Sequence, residues 1–336
     1  MLLTGRGPDT PTILAEGVTD WIGRFSFRIE SLDELDEAVL LVRGKEGEGR
    51  KLLTHIQEPV DVEITYPIIE TVVLLHDNDL HFNFNHPDRF KAKVDQIRER
   101  YNDVYLLNAG DIFVRNRKEW IDYDGVQKDY EWYGERCLFM IDTMNEIGYD
   151  VMTAGNHDFV IYNDYTGKAL EAARFPILAA NVEITTDLLP PVLPYTVFTT
   201  GTLRQIAILG LTAALSSTAG VELDRYKTVE KYLYLAEESD IFIALTHIEV
   251  FNDIELAKLY PEFDVIIGGH CETLLEKGIS ANGVLIAQAG GNEKKLSEEY
   301  PKYLGMVVLT LENGVVVDKK AQIYQFEIPQ LSRHAR

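Results

Sequence analysis

Apolar and polar positions change their periodicity at about residue 70. Before this point short segments alternate apolar and polar residues, as in RFSFRIES, where Phe25, Phe27 and Ile29 alternate with polar neighbours. A period of two is typical of strands with one buried face. We therefore predict that residues 1–69 form a small β-rich appendage, to which the sequence assigns no chemistry.

From residue 70 onward, short continuous apolar runs alternate with polar loops and segments of helical periodicity. The runs predict buried strands, and their alternation with helices predicts a layered α/β fold. We expect this domain to cover 70–328, followed by a tail at 329–336. The predicted strands are 70–76, 103–111, 149–158, 175–182, 204–213, 240–247, 263–270, 283–290 and a final pair joined by an ENG turn, and the predicted helices are 87–102, 132–147 and 227–238.

Residues 118–131, KEWIDYDGVQKDYE, interrupt this pattern with an aromatic and acidic segment. Most such segments are ordinary surface loops, and only a minority close over a functional site. We predict a surface loop, with a flap near the site as the alternative.

Five of the predicted strands end in residues that can bind a metal ion. In layered α/β folds ligands bind beyond the carboxyl ends of the strands, so we expect these side chains to converge. Carboxylate, imidazole and amide groups suit Mn, Zn, Fe, Co or Mg better than they suit a thiolate zinc site. The residues are Asp79 and His81, Asp111, Asn156 and His157, His247, and His270 and Glu272.

This number of ligands exceeds what one tetrahedral zinc needs and suits two divalent ions that share a bridging carboxylate. Two ions roughly 3.5–4 Å apart can generate hydroxide near neutral pH and stabilise an in-line displacement at phosphorus. The formal net charge of −22 argues against a nucleic-acid partner, which would need a basic patch. An anionic substrate must therefore be attracted by a local positive centre, and two bound ions would be one.

The two cysteines, Cys137 and Cys271, do not form a disulfide framework, and whether they pair stays open. We find no signal-peptide pattern and no apolar run that approaches the length of a membrane span. The sequence therefore predicts a soluble protein in the cytoplasm, or in the periplasm or outside the cell if a leader had been removed. It leaves the oligomeric state open.

The strings NDLH, GD, GNHD, TH and GGH each follow an apolar strand, and the ordered set resembles the calcineurin-like metallophosphoesterase superfamily. Longer strings, among them YDVMTAGNHDF, LTHIEVFNDIELA and IAQAGGNEKKL, are similar to the catalytic domain of the 5'-nucleotidase family over about residues 70 to 325. The resemblance implies a four-layer sandwich of two mixed β-sheets flanked by helices, with the metals at the strand ends.

The resemblance also implies a role for each residue of the site. The implied catalytic residues are His157 and Asp158. His157 would lie outside the metal shell and stabilise the transition state and the leaving oxygen, and Asp158 is the nearest carboxylate. The implied metal ligands are Asp79, His81 and Glu272 for the first ion, Asn156, His247 and His270 for the second, and Asp111 as the bridge between them.

Three features depart from the family pattern. Glu272 stands where the family has His or Gln, and its negative charge would favour harder ions. GNHDFV places Val160 where the family pattern GNHEFD has an Asp that orients the catalytic His. The sequence also ends soon after the catalytic domain, so we do not expect the C-terminal domain that binds the nucleotide base in this family.

Several residues keep two interpretations. Arg115 and Arg117 follow GDIFV and would suit bidentate contact with phosphate, or they are solvated loop cations. We expect His76 and His86 to be hydrogen-bonded loop or core residues, and Cys271 to be a small packed residue.

We predict a two-metal-dependent phosphoric ester hydrolase, a phosphomonoesterase acting on nucleotides or similar small phosphate esters. A metal-bound hydroxide would attack phosphorus while His157 assists. One alternative is a phosphodiesterase or pyrophosphohydrolase acting on cyclic nucleotides or nucleotide-sugars. Another is a catalytically retired metal-binding or regulatory protein on the same scaffold.

Overall fold

The computed structural model describes the backbone of six strands before residue 66 and most of the chain after residue 68. Its contacts divide the chain into two units, Met1–Glu70 with Leu311–Val315, and Thr71–Thr310 with Val316–Arg336. The residues described with their side chains are 69–84, 86–114, 118, 120, 126–161, 164–213, 219–291 and 303–326.

The first unit contains six strands in two antiparallel sheets. One sheet has the order β2-β1-β4-β5, and the other pairs β3 with β6. These strands agree with the alternating pattern of the sequence, whereas the domain boundaries at residues 69 and 328 stay a proposal. The strands are β1 (Leu2–Arg6), β2 (Pro11–Glu16), β3 (Arg24–Ile29), β4 (Glu37–Gly44), β5 (Gly47–Thr54) and β6 (Val60–Thr65).

A six-stranded sheet, called here the first sheet, contains the strands β7 (Ile69–Asp77), β8 (Asp103–Asn108), β9 (Val151–Thr153), β10 (Ile177–Leu178), β19 (Tyr303–Glu312) and β20 (Val315–Gln325). Its order is β10-β9-β8-β7-β19-β20, and β7 to β10 run parallel. Asn313 and Gly314, both with positive φ, connect β19 to β20 at the predicted turn. The helices that follow its strands are α1 (Pro87–Arg100), α2 (Tyr130–Ile147) and α3 (Tyr165–Glu171).

The second sheet contains the strands β12 (Tyr195–Thr199), β13 (Gln205–Thr212), β15 (Ile241–His247), β16 (Val265–Ile267), β17 (Ile279–Ala281) and β18 (Val284–Ala287). Its order is β12-β13-β15-β16-β18-β17, with parallel central strands and an antiparallel strand at each edge. A separate antiparallel pair joins β11 (Val182–Ile184) to β14 (Gly220–Glu222). The helices of this half are α4 (Arg225–Tyr232), α5 (Tyr234–Glu238) and α6 (Val250–Leu259).

Helices cover a face of each sheet with apolar side chains. Phe90, Val94 and Ile97 of α1 are buried in the same cluster as residues of β7 and β8, as the helical periodicity predicts. In the second half, Leu256 of α6 and Phe242 of β15 are buried in one cluster. Strand β9 of the first sheet contacts β13 and β15 of the second. The predicted α/β sandwich of two mixed sheets flanked by helices is therefore confirmed.

The sequence pattern missed short or half-exposed elements. It gave no prediction for α3, α6, β11, β12, β14 and β17, and it predicted one helix at 227–238, where the structure has α4 and α5. In the segment 118–131, Trp120 is fully buried and stacks on Tyr133 at 4.5 Å, so this position is part of the core. No helix in the described part of the chain has the length and apolar character needed to cross a membrane.

Asn181 fixes the loop after β10 to β13. Its Oδ1 accepts from the backbone N–H of Thr212, and its Nδ2 donates to the Thr212 carbonyl, both at 2.9 Å. We expect Asn181→Leu to lower the free energy of unfolding by about 2–4 kcal/mol, because two buried backbone groups lose their partner. Chemical denaturation measures this change.

Asn145 provides a matched control, since it makes two contacts of the same kind, to the N–H of Arg174 and the carbonyl of Ala172, and both partners are exposed residues. Water replaces the lost bonds there, so Asn145→Leu should cost less than about 1 kcal/mol. Equal losses for the two variants would contradict the role of burial at Asn181.

Candidate metal centre

The predicted metal-binding residues lie at or just after the carboxyl ends of parallel strands in both sheets. Strands β7, β8 and β9 are parallel neighbours, as are β15 and β16, so their carboxyl ends meet at one edge of each sheet. Seven side chains form three overlapping groups, in each of which the donor atoms lie within 4.8 Å of one another. The groups are Asp79, His81 and Glu272; Asp111, His247 and His270; and His81, Asp111 and His157.

Asp111 lies at the centre of this arrangement. Its Oδ2 atom is 3.1 Å from Nε2 of His247, 3.9 Å from Nε2 of His157 and 4.0 Å from Nε2 of His81. Its Oδ1 atom accepts a 2.8 Å hydrogen bond from the backbone N–H of His157. A carboxylate has lone pairs enough to face two cations at once, so this position suits a bridging ligand.

Asp79, His81 and Glu272 surround the first candidate ion position. Nε2 of His81 lies 3.8 Å from Oδ1 of Asp79 and 3.8 Å from Oε1 of Glu272. Asp79 and His81 are buried, whereas the side chain of Glu272 is 30% exposed. A Cβ atom on Gly291 would lie 2.1 Å from Cγ of Glu272, so only glycine leaves room for this side chain.

The imidazoles of His81 and His247 are held by backbone carbonyl groups. Nδ1 of His81 is 3.0 Å from the Phe113 carbonyl oxygen, and Nδ1 of His247 is 2.7 Å from that of Ala109. A carbonyl only accepts, so each Nδ1 carries the proton and each Nε2 is left to face the donor groups. Metal-binding histidines are commonly oriented in this way.

Among the buried oxygen atoms that lack a hydrogen-bond partner in the described part of the chain are Oδ1 of Asp79 and Oδ1 of Asn156. An unpaired buried polar atom costs about 1–3 kcal/mol, so native proteins satisfy such atoms with water or an ion. Both belong to residues predicted as metal ligands. The donor set therefore fits divalent cations. Its oxygen and nitrogen atoms are suitable ligands, and two of its buried oxygens have no other partner in the described part of the chain.

Strained backbone accompanies these side chains. A positive φ is costly for residues with a Cβ atom, and such residues concentrate at functional sites. In the described part of the chain, five of the predicted ligands have this conformation: Asp79 (φ 53°), His81 (φ 45°), Asp111 (φ 58°), His270 (φ 82°) and Glu272 (φ 53°).

Asp111 and His247 form an ion pair at the centre of the site, and each shifts the pKa of the other. Burial by itself would raise the pKa of Asp111, but the adjacent His247 imidazole brings it below the ordinary value. Burial likewise disfavours the His247 cation, yet the Asp111 carboxylate raises the pKa of His247 to about 10. A cation bound here would displace the His247 proton, so metal binding and proton release are linked.

The carboxylate of Asp158 accepts hydrogen bonds from the backbone around the site. It accepts from the backbone N–H groups of Asp111, Ile112 and Phe113 at 2.9, 2.9 and 3.1 Å, and from that of Gly155 at 2.8 Å. These bonds connect the loop after β8 to the loop after β9. We therefore propose a positioning role for Asp158 in place of the catalytic role expected from the sequence.

His157 faces the donor groups from the loop after β9. Its ring centroid is 4.8 Å from that of His81, and its side chain is 14% exposed. Val160, which replaces the orienting Asp of the family pattern, is buried, and its carbonyl accepts from the Thr166 hydroxyl. The side chain of Val160 therefore cannot orient His157 by hydrogen bonding.

The remaining candidates are not members of the donor groups. His76 is buried within β7, where Gly305 leaves room for its ring, and His86 precedes α1. Cys271 is exposed and its Sγ accepts from the Val250 N–H at 3.3 Å. Arg115 and Arg117 lie outside the described residues, so their proposed phosphate contact stays a prediction.

Two neighbours of the site were missed by sequence reasoning. Asn78 donates from Nδ2 to Oδ2 of Asp79 at 2.7 Å and accepts at Oδ1 from the Ala289 N–H at 3.1 Å. Glu249 places Oε1 3.5 Å from Nε2 of His270. The available signal was their position, directly before Asp79 and two residues after His247, but position alone does not show these contacts.

Comparison with known proteins supports the family suggested by the motifs. A family model described as calcineurin-like phosphoesterase matches residues 72–271. The trifunctional nucleotide phosphoesterase protein YfkN of Bacillus subtilis is 30% identical over 297 residues, covering 75% of this chain and 19% of that protein. A snake venom 5'-nucleotidase of Naja atra is 25% identical over 281 residues, covering 72% of this chain and 50% of that protein.

Among solved structures, the 5'-nucleotidase precursor from Thermus thermophilus matches with a TM-score of 0.57 at 23% identity, covering 76% of this chain and 54% of that one. This likeness shows the fold. The chain spans at most about half the length of the two relatives named above. Their activities are therefore a basis for proposals about this chain.

Gly155 tests how tightly the loops close around Asp111. A Cβ atom here would lie 2.1 Å from Oδ1 of Asp111 and 2.4 Å from its backbone nitrogen. We expect Gly155→Ala to displace Asp111, costing about 1–3 kcal/mol of stability and reducing bound metal. Thermal unfolding and elemental analysis measure the two effects.

Gly201→Ala is the matched control, because the nearest atom to its Cβ, Oδ1 of Asp103, is 3.7 Å away. This variant should keep the parent's stability and metal content. A Gly155→Ala protein that also retains both would show that Asp111 tolerates displacement.

Proposed function

The chain belongs to the calcineurin-like phosphoesterase family, and on this premise we propose that it is a two-metal hydrolase of small phosphate esters. The observation that carries the proposal is the pair of donor groups, Asp79, His81 and Glu272, and Asp111, His247 and His270, which lie side by side at the sheet edges. Family members depend on dinuclear metal centres, and this chain supplies donors for two ions.

Two bound divalent ions would supply water activation and neutralise charge on the phosphoryl group. The residues of this chain hold and orient them. Asp111 would bridge the two positions, and the carbonyl-bound rings of His81 and His247 would present Nε2. Asn156 would contribute the amide oxygen that lacks a partner in the described part of the chain.

His157 acts on the substrate in this proposal. Its backbone N–H holds Asp111, while its Nε2 lies 3.9 Å from Asp111 Oδ2 and its side chain is partly accessible. From this position the protonated ring donates a hydrogen bond to the developing oxyanion and a proton to the leaving oxygen. Its anchoring comes from the loop geometry that Asp158 fixes.

The substrate class that we propose is the nucleotide monophosphate or a similar small phosphomonoester. The support is the activity for which two relatives are named, a nucleotide phosphoesterase and a 5'-nucleotidase. Cyclic nucleotides and nucleotide-sugars are the competing substrates. The carboxylate-rich donor set favours Mn, Co or Mg as well as Zn and Fe. The cytoplasmic location stays a proposal.

A catalytically retired scaffold is the competing function of another class. A retired site has no reason to keep strained backbone and unpaired buried oxygens, because both cost stability. Asp79 has both features, and Asn156 has the second. Their retention supports an active centre.

Asp111→Asn tests the bridging role. A neutral amide cannot balance two cations, so we expect turnover to fall by at least about 100-fold. The assay is a panel of nucleotide monophosphates, cyclic nucleotides and nucleotide-sugars with added Mn, Co, Zn or Mg, coupled to elemental analysis. Parent protein that binds fewer than two ions per chain after loading and hydrolyses no ester would refute the proposal.

His157→Ala separates proton donation from metal binding. We expect kcat to fall roughly 100- to 10,000-fold while metal content is unchanged, because His157 acts on the leaving oxygen. His86→Ala, on the loop before α1, serves as the control and should keep full activity. Loss of metal from the His157 variant would instead make His157 a ligand.

A further inference from the structure

We propose that Glu249 is a positioning residue that holds the ring of His270 so that its Nδ1 faces the second ion position. This inference rests on the proposed two-metal function. Oε1 of Glu249 lies 3.5 Å from Nε2 of His270, while Nδ1 of His270 lies 3.2 Å from Nε2 of His247. Nε2 of His270 thus faces the Glu249 carboxylate, and Nδ1 faces His247 in the donor group of the second ion.

The pairing completes a pattern among the three histidines that are predicted to bind metal. His81 and His247 each direct Nδ1 at a backbone carbonyl and present Nε2 to the site. His270 is turned the other way, so its outward nitrogen is Nε2, and the oxygen that meets it belongs to Glu249. At 3.5 Å the two atoms are within ion-pair distance, and a carboxylate placed at the outer N–H favours the tautomer whose inner nitrogen is free to bind a cation.

The backbone of Glu249 is strained, with φ 77° and ψ 144°. This region is close to one that only glycine adopts readily, so a glutamate here lowers stability. Helix capping does not account for the residue, since its side chain makes no cap hydrogen bond among the described residues. Its carbonyl accepts from the Asp253 N–H at 3.0 Å, a bond that glycine would make as well.

A second contact holds the two loops together next to this pair. Sγ of Cys271 accepts from the Val250 N–H at 3.3 Å, joining the residue after His270 to the residue after Glu249. The strained backbone therefore brings the carboxylate to His270 at a fixed place. Because the side chain of Glu249 is 53% exposed, its charge stays hydrated and the contact needs no buried ion pair.

Measurements of metal affinity and of thermal stability distinguish the role of the Glu249 carboxylate from that of its strained backbone. Glu249→Ala and Glu249→Gly both remove the carboxylate, but only glycine relieves the positive φ. We expect both variants to lose roughly 10- to 100-fold in affinity for the second ion equivalent. Only Glu249→Gly should gain thermal stability in the metal-free protein. Glu249→Gln keeps an acceptor oxygen and should recover part of the affinity.

Titration with Co²⁺, followed by visible absorption and calorimetry, gives the affinity of each equivalent without an activity assay. Nitrogen-15 spectra of the histidine rings report which nitrogen of His270 carries the proton, and the Nε2–H form should weaken in Glu249→Ala. Leu203→Gly is the control, since Leu203 has φ 67° at an exposed turn before β13. It should gain stability without a change in Co²⁺ affinity.

The outcomes distinguish this inference from the proposed function. Parent protein that binds two Co²⁺ ions, together with Ala and Gly variants of unchanged affinity and unchanged His270 tautomer, overturns the role of Glu249 and leaves the two-metal function standing. Parent protein that binds no Co²⁺ overturns both. Loss of affinity in Glu249→Gly but not in Glu249→Ala would assign the effect to the backbone and also overturn the inference.

Discussion

The candidate site depends on one constraint: each of two loops donates backbone N–H groups to a carboxylate of the other loop. Asp158, after β9, accepts from the N–H of Asp111, and Asp111 accepts from the N–H of His157. Each loop therefore supplies donors for the carboxylate of the other. Because charge-assisted bonds to backbone N–H groups are strong, this exchange offsets part of the cost of burying two acids close together. The bonds fix the positions of Asp111 and His157 relative to each other.

Close approach between loops follows from that pairing and explains the glycines of the site. A Cβ atom on Gly110 would lie 2.7 Å from Nδ1 of His247, and one on Gly155 would lie 2.1 Å from Oδ1 of Asp111. Where a side chain is needed for binding, glycine is not an option and the backbone carries the strain instead. Asp79 and His270 do so with φ of 53° and 82°. Small and strained positions are thus two consequences of one crowded edge.

The sequence predicted the strand ends because the apolar runs of β7, β8 and β15 are continuous and each strand ends at, or shortly before, a predicted ligand. Contacts between distant parts of the chain could not be predicted in this way. The bonds from Asp158 to the β8 loop span about 45 residues, and periodicity carries no information at that distance. Glu249 was missed for a related reason, since its meaning depends on a backbone conformation that no local pattern favours. The types of side chain indicate the chemistry. Long-range packing decides which carboxylate faces the donor groups and which one holds the backbone in place.

Charge explains why the placement of these carboxylates matters. The chain carries a formal net charge of −22, so the global field repels a phosphate ester. Asp79, Asp111 and Glu272 add three negative charges to the donor groups, against four positive charges that two divalent ions would bring. The loaded centre would then keep a small positive excess, which the hydrated carboxylate of Glu249 at its rim would offset only in part. A carboxylate that acts through the outer nitrogen of His270, outside the donor groups, strengthens that ligand while leaving most of its own charge in water. This position reconciles firm metal binding with attraction of an anionic substrate.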